Sequence, residues 1–558
     1  MSNNEIAEYF SLMARLMDLH GENSFRSKSY SIAAFTLERL PDKVETMSDA
    51  ALFATKGIGD QTGKKVRELI AKGRLKAMDD LLAATPPGVL DIMQIKGLGP
   101  KKTAVIWKEL GIESIGELEY ACNENRLVTL KGFGAKTQDS VLQSIELLRS
   151  YAGYYLFSEA YEFAMSVVDS MQAGFPDELT SLTGNIRLQP DIVENVDIIT
   201  TVTPSKLMPI LLATPEVKIS EENDNDLTVQ FPNHPLMILH FTSMDDFYKD
   251  LFLTTGPEYF CSQFAEKFTI PAKPVSEEQI FEHNKMQYVH PALRAQKDAL
   301  DKALCGKIPT VIKPEDIRGI IHSHSKWSDG SFTIEEMANE ARKKGFEYLV
   351  LSDHSQSAYY ANGLNPERIA AQHAEIDALN KKLAPFRIFK SIESDILFDG
   401  NLDYTPEVLR TFDLVIASVH SNLKMNQEKA MERVLAAIRN PFTNILGHPT
   451  GRLLLSRPGY PLDMKAIIDE CSRCNVVIEI NAHPRRLDLD WQWIDYAMQQ
   501  GVLLSIDPDA HELKGFDDIF YGAMAAQKGG LTKTCNLSSY TLHEMEEFIA
   551  AQKTKSLR

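Results

Sequence analysis

The fold of the C-terminal half is decided by the stretch RGIIHSHSKWSDG, residues 318–330. A short apolar run leads there into two histidines and then an aspartate. Six more apolar runs that end in polar residues follow it: EYLVLSDH, FRIFKSIESD, DLVIASVH, TNILGHP, VVIEINAH and VLLSIDPDAH. The runs recur at roughly 30-residue spacing, the size of a βα unit, with amphipathic helical segments between them. Buried parallel strands with crossover helices predict an α/β barrel over this half of the chain.

Histidine and carboxylate side chains stand at the ends of these runs, where α/β barrels place their chemistry. They are His322, His324, His354, His420, His448 and His511, joined by Asp329, Asp353, Glu393 and Asp509. Histidines scattered through a core or a surface would not select one end of successive strands. Imidazole and carboxylate suit zinc, manganese or iron, with magnesium as a further candidate. So many ligands predict two or three divalent ions and the hydrolysis of a phosphate ester.

The N-terminal residues 1–150 have helical periodicity and carry one short pattern three times: KGIG at 56–59, KGLG at 96–99 and KGFG at 131–134. The pattern resembles the helix-hairpin-helix motif, whose glycines allow a tight turn while helix N-terminal amides face a phosphate. Such contacts are independent of base sequence. We therefore expect DNA binding at the three glycine pairs, Gly57 and Gly59, Gly97 and Gly99, Gly132 and Gly134.

The charge distribution fits a DNA-binding N-terminal region and a cation-binding C-terminal half. The chain carries a net charge of −18, yet residues 1–150 contain 20 Lys and Arg against 20 Asp and Glu, so the acidic excess lies downstream. An acidic half suits a site that gathers cations. The N-terminus lacks a secretory signal, no apolar run is long enough for a membrane span, and the cysteines form no framework. These features predict a cytoplasmic protein without membrane contact, and we expect a monomer.

The stretch around His322 and His324, with SDHS, SIESDIL, ASVHS, GHPTGRLL and DPDAH, resembles the PHP (polymerase and histidinol phosphatase) domain of bacterial family-X DNA polymerases. The resemblance implies a distorted seven-stranded barrel with nine ligand positions. It assigns His322, His324, Glu393 and Asp509 to one metal, Glu393, His420 and His448 to a second, and Asp329, His354 and His511 to a third. Catalysis would centre on Glu393, Asp509 and His324. One position departs from the family, because Ile320 stands where an aspartate is usual.

The resemblance covers nearly the whole chain and implies a multidomain fold: an all-α helix-hairpin-helix region, an α+β polymerase-like palm and thumb, and the α/β PHP barrel. ENSFRSKSY and the following alanines resemble the opening of the family's lyase-type domain, where Lys65 matches the Schiff-base lysine. Gln61 replaces its partner lysine, so Lys64 and Lys65 are expected to bind a 5′-phosphate. The expected domains are lyase-type (1–80), fingers-like (81–150), palm and thumb (151–270), connector (271–312) and PHP (313–558).

The palm departs from the family pattern at the positions that carry nucleotidyl transfer. The family uses three carboxylates for two metals, a G-S-x-R-R segment for the triphosphate and a T-G-S motif for the sugar. The matching positions here are Asn185, Leu188, Asn195, Ile238 and Pro257, and only Asp197 remains of the carboxylates. We expect a scaffold whose polymerase activity is lost or very weak.

The resulting prediction is a DNA-repair nuclease, a metal-dependent 3′–5′ exonuclease acting on gapped or nicked DNA or on 3′ ends. Arg452, in GHPTGRLL, either binds a substrate phosphate bidentately or forms a salt bridge. Three alternatives stay open: a gap-filling polymerase with a PHP editing nuclease, a small-molecule phosphatase of the histidinol-phosphatase type, and a DNA-binding adaptor with a structural PHP site.

Overall fold

A computed structural model describes residues 1–40, 43–123, 126–151, 153–222, 225–455 and 458–555 of the chain. The chain forms two compact units, Met1–Ala152 and Gly153–Arg558. The expected subdivision of each unit into further domains stays a prediction.

Among the described residues of the first unit, the regular elements are all helices. Its helices are α1 (Asn3–His20), α2 (Ser24–Glu38), α3 (Asp49–Ala54), α4 (Asp60–Lys72), α5 (Lys76–Ala83), α6 (Pro87–Ile92), α7 (Pro100–Leu110), α8 (Ile115–Asn123) and α9 (Ala135–Tyr151). The first helix shows how local sequence sets these bounds. Ser2 and Glu5 form a capping box at its start, and Gly21 ends it in the left-handed conformation.

The second unit begins with a palm-like region. Its elements are β1 (Tyr155–Leu156), α10 (Phe157–Gly174), β2 (Thr180–Thr183), α11 (Gly184–Arg187), β3 (Ile192–Val193), β4 (Asn195–Thr200), α12 (Pro204–Ala213), β5 (Lys218–Glu222), β6 (Asp226–Gln230), β7 (Leu236–Phe241), α13 (Phe247–Thr255) and α14 (Glu258–Lys267). Five strands form a mixed sheet in the order β2-β4-β7-β6-β5, in which β4 and β7 are parallel. The helix α10 packs on one face of this sheet, and Asp197 and His240 lie on the other, since Val196 and Ile198 join the core with α10.

The connector is folded rather than extended. It contains α15 (Glu277–His283) and α16 (Ala299–Leu304), and Ile280 and Phe281 pack with Phe252 and Phe264 in one apolar cluster. Glu277 is buried there between Arg187 of the palm and Arg294, with its Oε1 2.8 Å from Arg294 Nη1.

The remaining elements build the predicted barrel: β8 (Gly319–Ile320), α17 (Ile334–Lys343), β9 (Tyr348–Leu351), α18 (Pro366–Leu383), β10 (Arg387–Asp395), α19 (Pro406–Leu409), β11 (Leu414–Ser418), α20 (Gln427–Arg439), β12 (Ile445–Leu446), α21 (Met464–Cys474), β13 (Val477–Asn481), α22 (Ile494–Gln499), β14 (Leu504–Asp507), α23 (Ile519–Lys528) and α24 (Leu542–Lys555). The seven strands β8 to β14 are parallel and neighbour one another in chain order.

The barrel is nearly closed, because the first and last strands meet just beyond their ends. Ser323 bridges to Ala510, and the His324 N–H donates to the Ala510 carbonyl at 2.8 Å. At the opposite end, Met545 and Ile549 of α24 pack into the apolar barrel interior. The fold class predicted from the sequence is confirmed. Among the described residues, no helix is long and apolar enough to cross a bilayer.

Candidate metal centre and nucleic-acid interface

The barrel strands deliver the predicted ligands to one open end. Each candidate histidine lies at the C-terminal end of a strand or directly after it. His322, His448 and Asp509 adopt positive φ angles of 62°, 22° and 52°. Such conformations are costly for residues other than glycine and cluster at functional sites. The ends of β8, β12 and β14 are therefore bent away from regular strand geometry where these side chains converge.

Glu393, on β10, is the hub of the cluster. Its Oε1 lies 3.3 Å from His322 Nε2, 3.1 Å from His420 Nε2 and 3.0 Å from His448 Nε2. Its Oε2 lies 2.8 Å from His354 Nδ1 and 3.7 Å from His324 Nε2. The carboxylate is buried, so five imidazoles from four other strand ends surround one negative charge.

The potential ligand atoms fall into three overlapping groups, and the atoms of each group lie within 4.8 Å of one another. They are His322, His324 and Asp509; His354, Glu393 and His420; and His324, Asp329, His354 and His511. All nine predicted positions thus converge, since His448 Nε2 also reaches Glu393. The grouping differs from the expected one, because His354 joins Glu393 and His324 joins the third group. The assignment of these residues to particular ions stays a prediction.

The cluster is electrostatically polarised. Burial alone would raise the pKa of Glu393, but His420, His322 and His354 hold that pKa well below its ordinary value. Burial opposes protonation of His420, yet Glu393 and Asp395 raise its pKa to about 10. Burial, reinforced by His354 and His511, lowers the pKa of His324 to about 3. His324 is therefore neutral, which is the form that coordinates a metal.

The residues present fit bound cations. His322 Nε2 and Glu393 Oε2 are buried and make no hydrogen bond of good geometry among the described residues, although Glu393 Oε1 and His354 Nδ1 lie 3.3 and 2.8 Å from them. Both atoms belong to the cluster, and burying such atoms unpaired is costly. Coordination to a divalent ion would satisfy them, and imidazole with carboxylate is a donor set suited to zinc, manganese or iron.

Two carboxylates that the sequence analysis did not single out hold the ligands in place. Glu479 accepts from His322 Nδ1 at 2.6 Å and from the His448 N–H at 3.0 Å. Asp395 is hydrogen-bonded to His420 Nδ1. Both contacts resemble the carboxylate–histidine pairs that orient metal ligands. In the sequence, Glu479 is a charged residue inside the apolar run VVIEI, and Asp395 stands two positions after Glu393.

Asp353 has a different role from the other strand-end carboxylates. It accepts from the N–H and hydroxyl of Ser325 at 2.7 and 2.8 Å and from Gln372 Nε2 at 2.6 Å. These bonds fix the loop that follows His324. Ile320, the departure from the family pattern, is a buried residue of the apolar core.

Arg452, on the loop after β12, is held by protein groups. Its guanidinium donates to Asp490 Oδ2 at 2.7 Å, to Asp191 Oδ2 at 2.8 Å and to the Arg486 carbonyl at 2.8 Å. It also bonds the Leu487 carbonyl. These contacts favour the salt-bridge alternative for Arg452 over the phosphate-binding one.

The three glycine pairs of the first unit form the same turn. Gly57, Gly97 and Gly132 have φ angles of 97°, 90° and 89°, and Gly59 and Gly99 are the N-caps of α4 and α7. The turn bonds repeat as well, from Ile58 to Thr55, Leu98 to Ile95 and Phe133 to Leu130, at 2.9, 3.0 and 3.1 Å. Gly134 directly precedes α9. Each hairpin therefore presents the first amides of a helix, the geometry that receives an anion.

The two lysines of the lyase-type region lie on α4, just after the first hairpin. Lys65 Nζ is 2.6 Å from Glu68 Oε2, whereas Lys64 is exposed. Their expected contact with a 5′-phosphate stays a prediction.

The palm sheet places Asp197 beside the positions where the other carboxylates were expected. Asp197 is the register partner of Ile238 on β7. Its Oδ2 accepts from Asn195 Nδ2 at 2.7 Å, and its Oδ1 lies 3.0 Å from His240 Nε2. His240 Nδ1 is 2.7 Å from Asp226 Oδ1. The His240 imidazole thus lies between two carboxylates, and one of them is Asp197, the palm aspartate that matches the family pattern.

Arg187 is the arginine that matches the family's triphosphate segment, and like Asp197 it is bound by other side chains of the protein. It donates to Thr255 Oγ1 at 2.8 Å and pairs with the buried Glu277. Thr255 itself belongs to the segment that matches the family's sugar-contact motif. Both contacts are made within the protein.

Models of known protein families match three segments of the chain. A helix-hairpin-helix domain matches residues 1–75, a SAM-like helix-hairpin-helix tandem matches residues 89–146, and the PHP domain matches residues 321–483. These matches cover the three hairpins and all the candidate ligands except Asp509 and His511.

Similarity to one curated protein extends along the whole chain. The DNA polymerase/3′-5′ exonuclease PolX of Bacillus subtilis is 32% identical over 575 aligned residues, which cover 98% of this chain and 99% of that protein. A probable phosphatase of Thermoanaerobacter sp. is 26% identical over 249 residues, 42% of this chain and 95% of that protein. A probable phosphatase of Acetivibrio thermocellus is 27% identical over 211 residues, 36% and 83% respectively.

Proposed function

The chain belongs to the family of the DNA polymerase/3′-5′ exonuclease PolX, and on that premise we propose that its PHP barrel hydrolyses DNA phosphodiesters from 3′ ends. The observation that carries the proposal is the convergence of five imidazoles on Glu393 at the open end of the barrel. Within the same chain, three hairpins present helix N-termini suited to DNA phosphates. A metal-dependent phosphoesterase site coupled to sequence-independent DNA binding is a nuclease.

The nine converging side chains would hold two or three divalent ions, of manganese, zinc, iron or magnesium. Such ions lower the pKa of a water nucleophile and neutralise charge on both oxygens of an in-line displacement. The protein's own contribution is orientation. Glu479 and Asp395 fix the rings of His322 and His420, so that their remaining nitrogens face Glu393. This preorganisation lowers the reorganisation cost of the reaction.

The substrate that we propose is gapped or nicked DNA, or another DNA with an accessible 3′ end. The hairpins bind backbone phosphates without reading bases, so selectivity would come from the shape of the DNA. The two probable phosphatases match the barrel part of this chain, which makes removal of a 3′-phosphate a second candidate reaction. A labelled DNA that ends in a 3′-phosphate distinguishes this reaction from exonucleolysis.

The first prediction concerns His324. Purified protein with a labelled primer-template should shorten the primer from its 3′ end in Mn²⁺, Mg²⁺ or Zn²⁺, and His324→Ala should abolish this activity because two of the three ligand groups include His324. DNA binding should be unchanged, since the hairpins lie in the other unit. His543→Ala serves as the control, because His543 is an exposed residue of α24. Undiminished shortening by His324→Ala would show that the hydrolase site lies elsewhere.

A further inference from the structure

The loop that follows β13 is tied firmly to the candidate metal centre. Within it, the Asn481 N–H donates to the Asp488 carbonyl at 2.7 Å, and the Leu489 N–H donates to the Glu479 carbonyl at 3.0 Å. From outside, Arg452 donates to the carbonyls of Arg486 and Leu487. Backbone bonds on both sides of Arg486 therefore fix where its side chain begins.

The Arg486 side chain approaches Asp509 from this loop. Its Nε lies 3.8 Å from Asp509 Oδ2, and 19% of the side chain is exposed. That distance is too long for a hydrogen bond. Among the described residues, none accepts a hydrogen bond from the Arg486 guanidinium. Arg452, on the loop after β12, instead donates to two carboxylates and two backbone carbonyls. Arg486 thus keeps its donors available at the edge of the cluster.

Asp509 does not need Arg486 as a structural partner. Asp509 already receives Asn481 Nδ2 at 3.1 Å on Oδ2 and His324 Nε2 at 3.0 Å on Oδ1. An arginine beside cation ligands also repels the ions that those ligands bind. A planar fork of unpaired donors suits the non-bridging oxygens of a phosphate.

We propose that Arg486 binds a non-bridging oxygen of the scissile phosphate at the metal centre, with Arg452 as the residue that positions its loop. The inference rests on the proposed function, because it takes the barrel end as the hydrolytic site. The phosphate-binding arginine is then Arg486 and not Arg452, the candidate from the sequence. The ligand class is a phosphate mono- or diester, and inorganic phosphate carries the same oxygens.

The test compares the full-length, Mn²⁺-loaded wild type with Arg486→Gln, Arg486→Lys and Arg485→Gln. Arg485 is an exposed neighbour, so its variant loses the same charge from the same loop. Three quantities are measured: bound Mn²⁺ per chain, the affinity for inorganic phosphate by calorimetry, and kcat and KM on 3′-ended DNA. Arg486→Gln should keep its Mn²⁺ and lose phosphate affinity by about 10- to 100-fold, the effect of one charge-assisted contact. Catalytic efficiency should fall by a similar factor, Arg486→Lys should regain part of both, and Arg485→Gln should match the wild type.

Two results would overturn the assignment. One is Arg486→Gln protein that loses Mn²⁺ but binds phosphate normally once reloaded, which would make Arg486 a support for Asp509. The other is an equal loss of phosphate affinity in Arg485→Gln, which would make the effect one of general charge. If the wild type binds phosphate through Arg486 but leaves DNA intact, the Arg486 site stands and the proposed nuclease function fails.

Discussion

At the scale of single residues, Glu393 sets the electrostatics of the candidate centre. A buried carboxylate is costly unless opposite charge or hydrogen bonds compensate for it. Five imidazoles surround Glu393, and the same rings must shed any proton before they coordinate a cation. Cation binding is therefore coupled to proton release at this cluster.

His240 provides a residue-scale test in the palm. Burial lowers its pKa, but hydrogen bonds with Asp197 and Asp226 outweigh burial and leave the pKa above the ordinary 6.5. The two ion pairs thus stabilise the fold fully below about pH 6.5, and this contribution is lost as the pH rises through the folded-state pKa. His240→Gln should lower the free energy of unfolding by about 1 kcal/mol at pH 6 and by less at higher pH.

Chemical denaturation of the wild type and His240→Gln at pH values from about 5.5 to about 9 measures this difference, because the charge of a histidine changes within this range. His283→Gln is the control, because His283 is an exposed residue of α15. A stability difference that is independent of pH would show that His240 contributes packing rather than charge.

The sequence identified side chains that converge in the structure where a pattern repeated, and their role as ligands stays a prediction. Candidate ligands at six of the seven strand ends were visible because their spacing follows the βα unit. Glu479, Asp395 and Arg486 were not found, because each acts through a contact that joins distant parts of the chain. Arg452 shows the same limit, since its partner Asp191 lies 261 positions away in sequence.

At the scale of elements, the strands are shorter than the apolar runs that predicted them. The run RGIIHSH gives the two-residue β8, and TNILGHP gives the two-residue β12. In both runs the strand ends before a histidine with positive φ, His322 or His448, so the chain leaves the ladder where the ligands begin. Hydrophobic periodicity predicts burial but not this change of conformation. The palm strand β5 has no such apolar run to indicate it, because KISEE has no clear apolar alternation.

The hairpins supply the element-scale prediction. Gly97 has a φ of 90° with open space around the position of a Cβ, so Gly97→Ala strains only the backbone of the turn. A residue with a Cβ in this conformation costs about 1–2 kcal/mol. The strain should distort the turn that aligns the first amides of α7 and weaken binding to gapped DNA by about 5- to 30-fold at low salt.

Gly111 offers a matched control for this variant. It caps the C-terminal end of the same helix with a φ of 67° and equally open surroundings. Gly111→Ala should lose similar stability without losing DNA affinity, as fluorescence anisotropy with labelled gapped DNA would show. Equal losses of affinity in both variants would mean that α7 as a whole, and not its hairpin, governs binding.

At the scale of the whole molecule, the palm and the barrel share one compact unit. Tyr521 of α23 donates to Glu162 of α10 at 2.6 Å, and Met524 joins the palm core. Arg452 adds an ion pair to Asp191 beside the palm strand β3. Through these contacts the palm supports the barrel face that carries Arg452, whatever its own activity.

The last prediction concerns nucleotide addition by the whole protein. Templated synthesis requires cations that neutralise the attacking 3′ oxygen and the leaving pyrophosphate. In the palm, Asp197 is bound by Asn195 and His240, and Ile238 occupies its register partner position. A single carboxylate that is already engaged binds Mg²⁺ weakly, because this ion gives up its water reluctantly. Arg187, paired with Glu277, offers the triphosphate little charge.

We therefore expect negligible primer extension even where the nuclease is vigorous. Because 3′ degradation would mask slow synthesis, the assay must use His324→Ala with a gapped primer-template, all four dNTPs and Mg²⁺ or Mn²⁺. A second variant, Asn195→Asp with Ile238→Asp, restores carboxylates at both palm positions in the same background. Extension by this variant but not by His324→Ala would locate the loss at these two residues. Robust extension by His324→Ala itself would contradict the prediction, because it would require a palm site that works without the missing carboxylates.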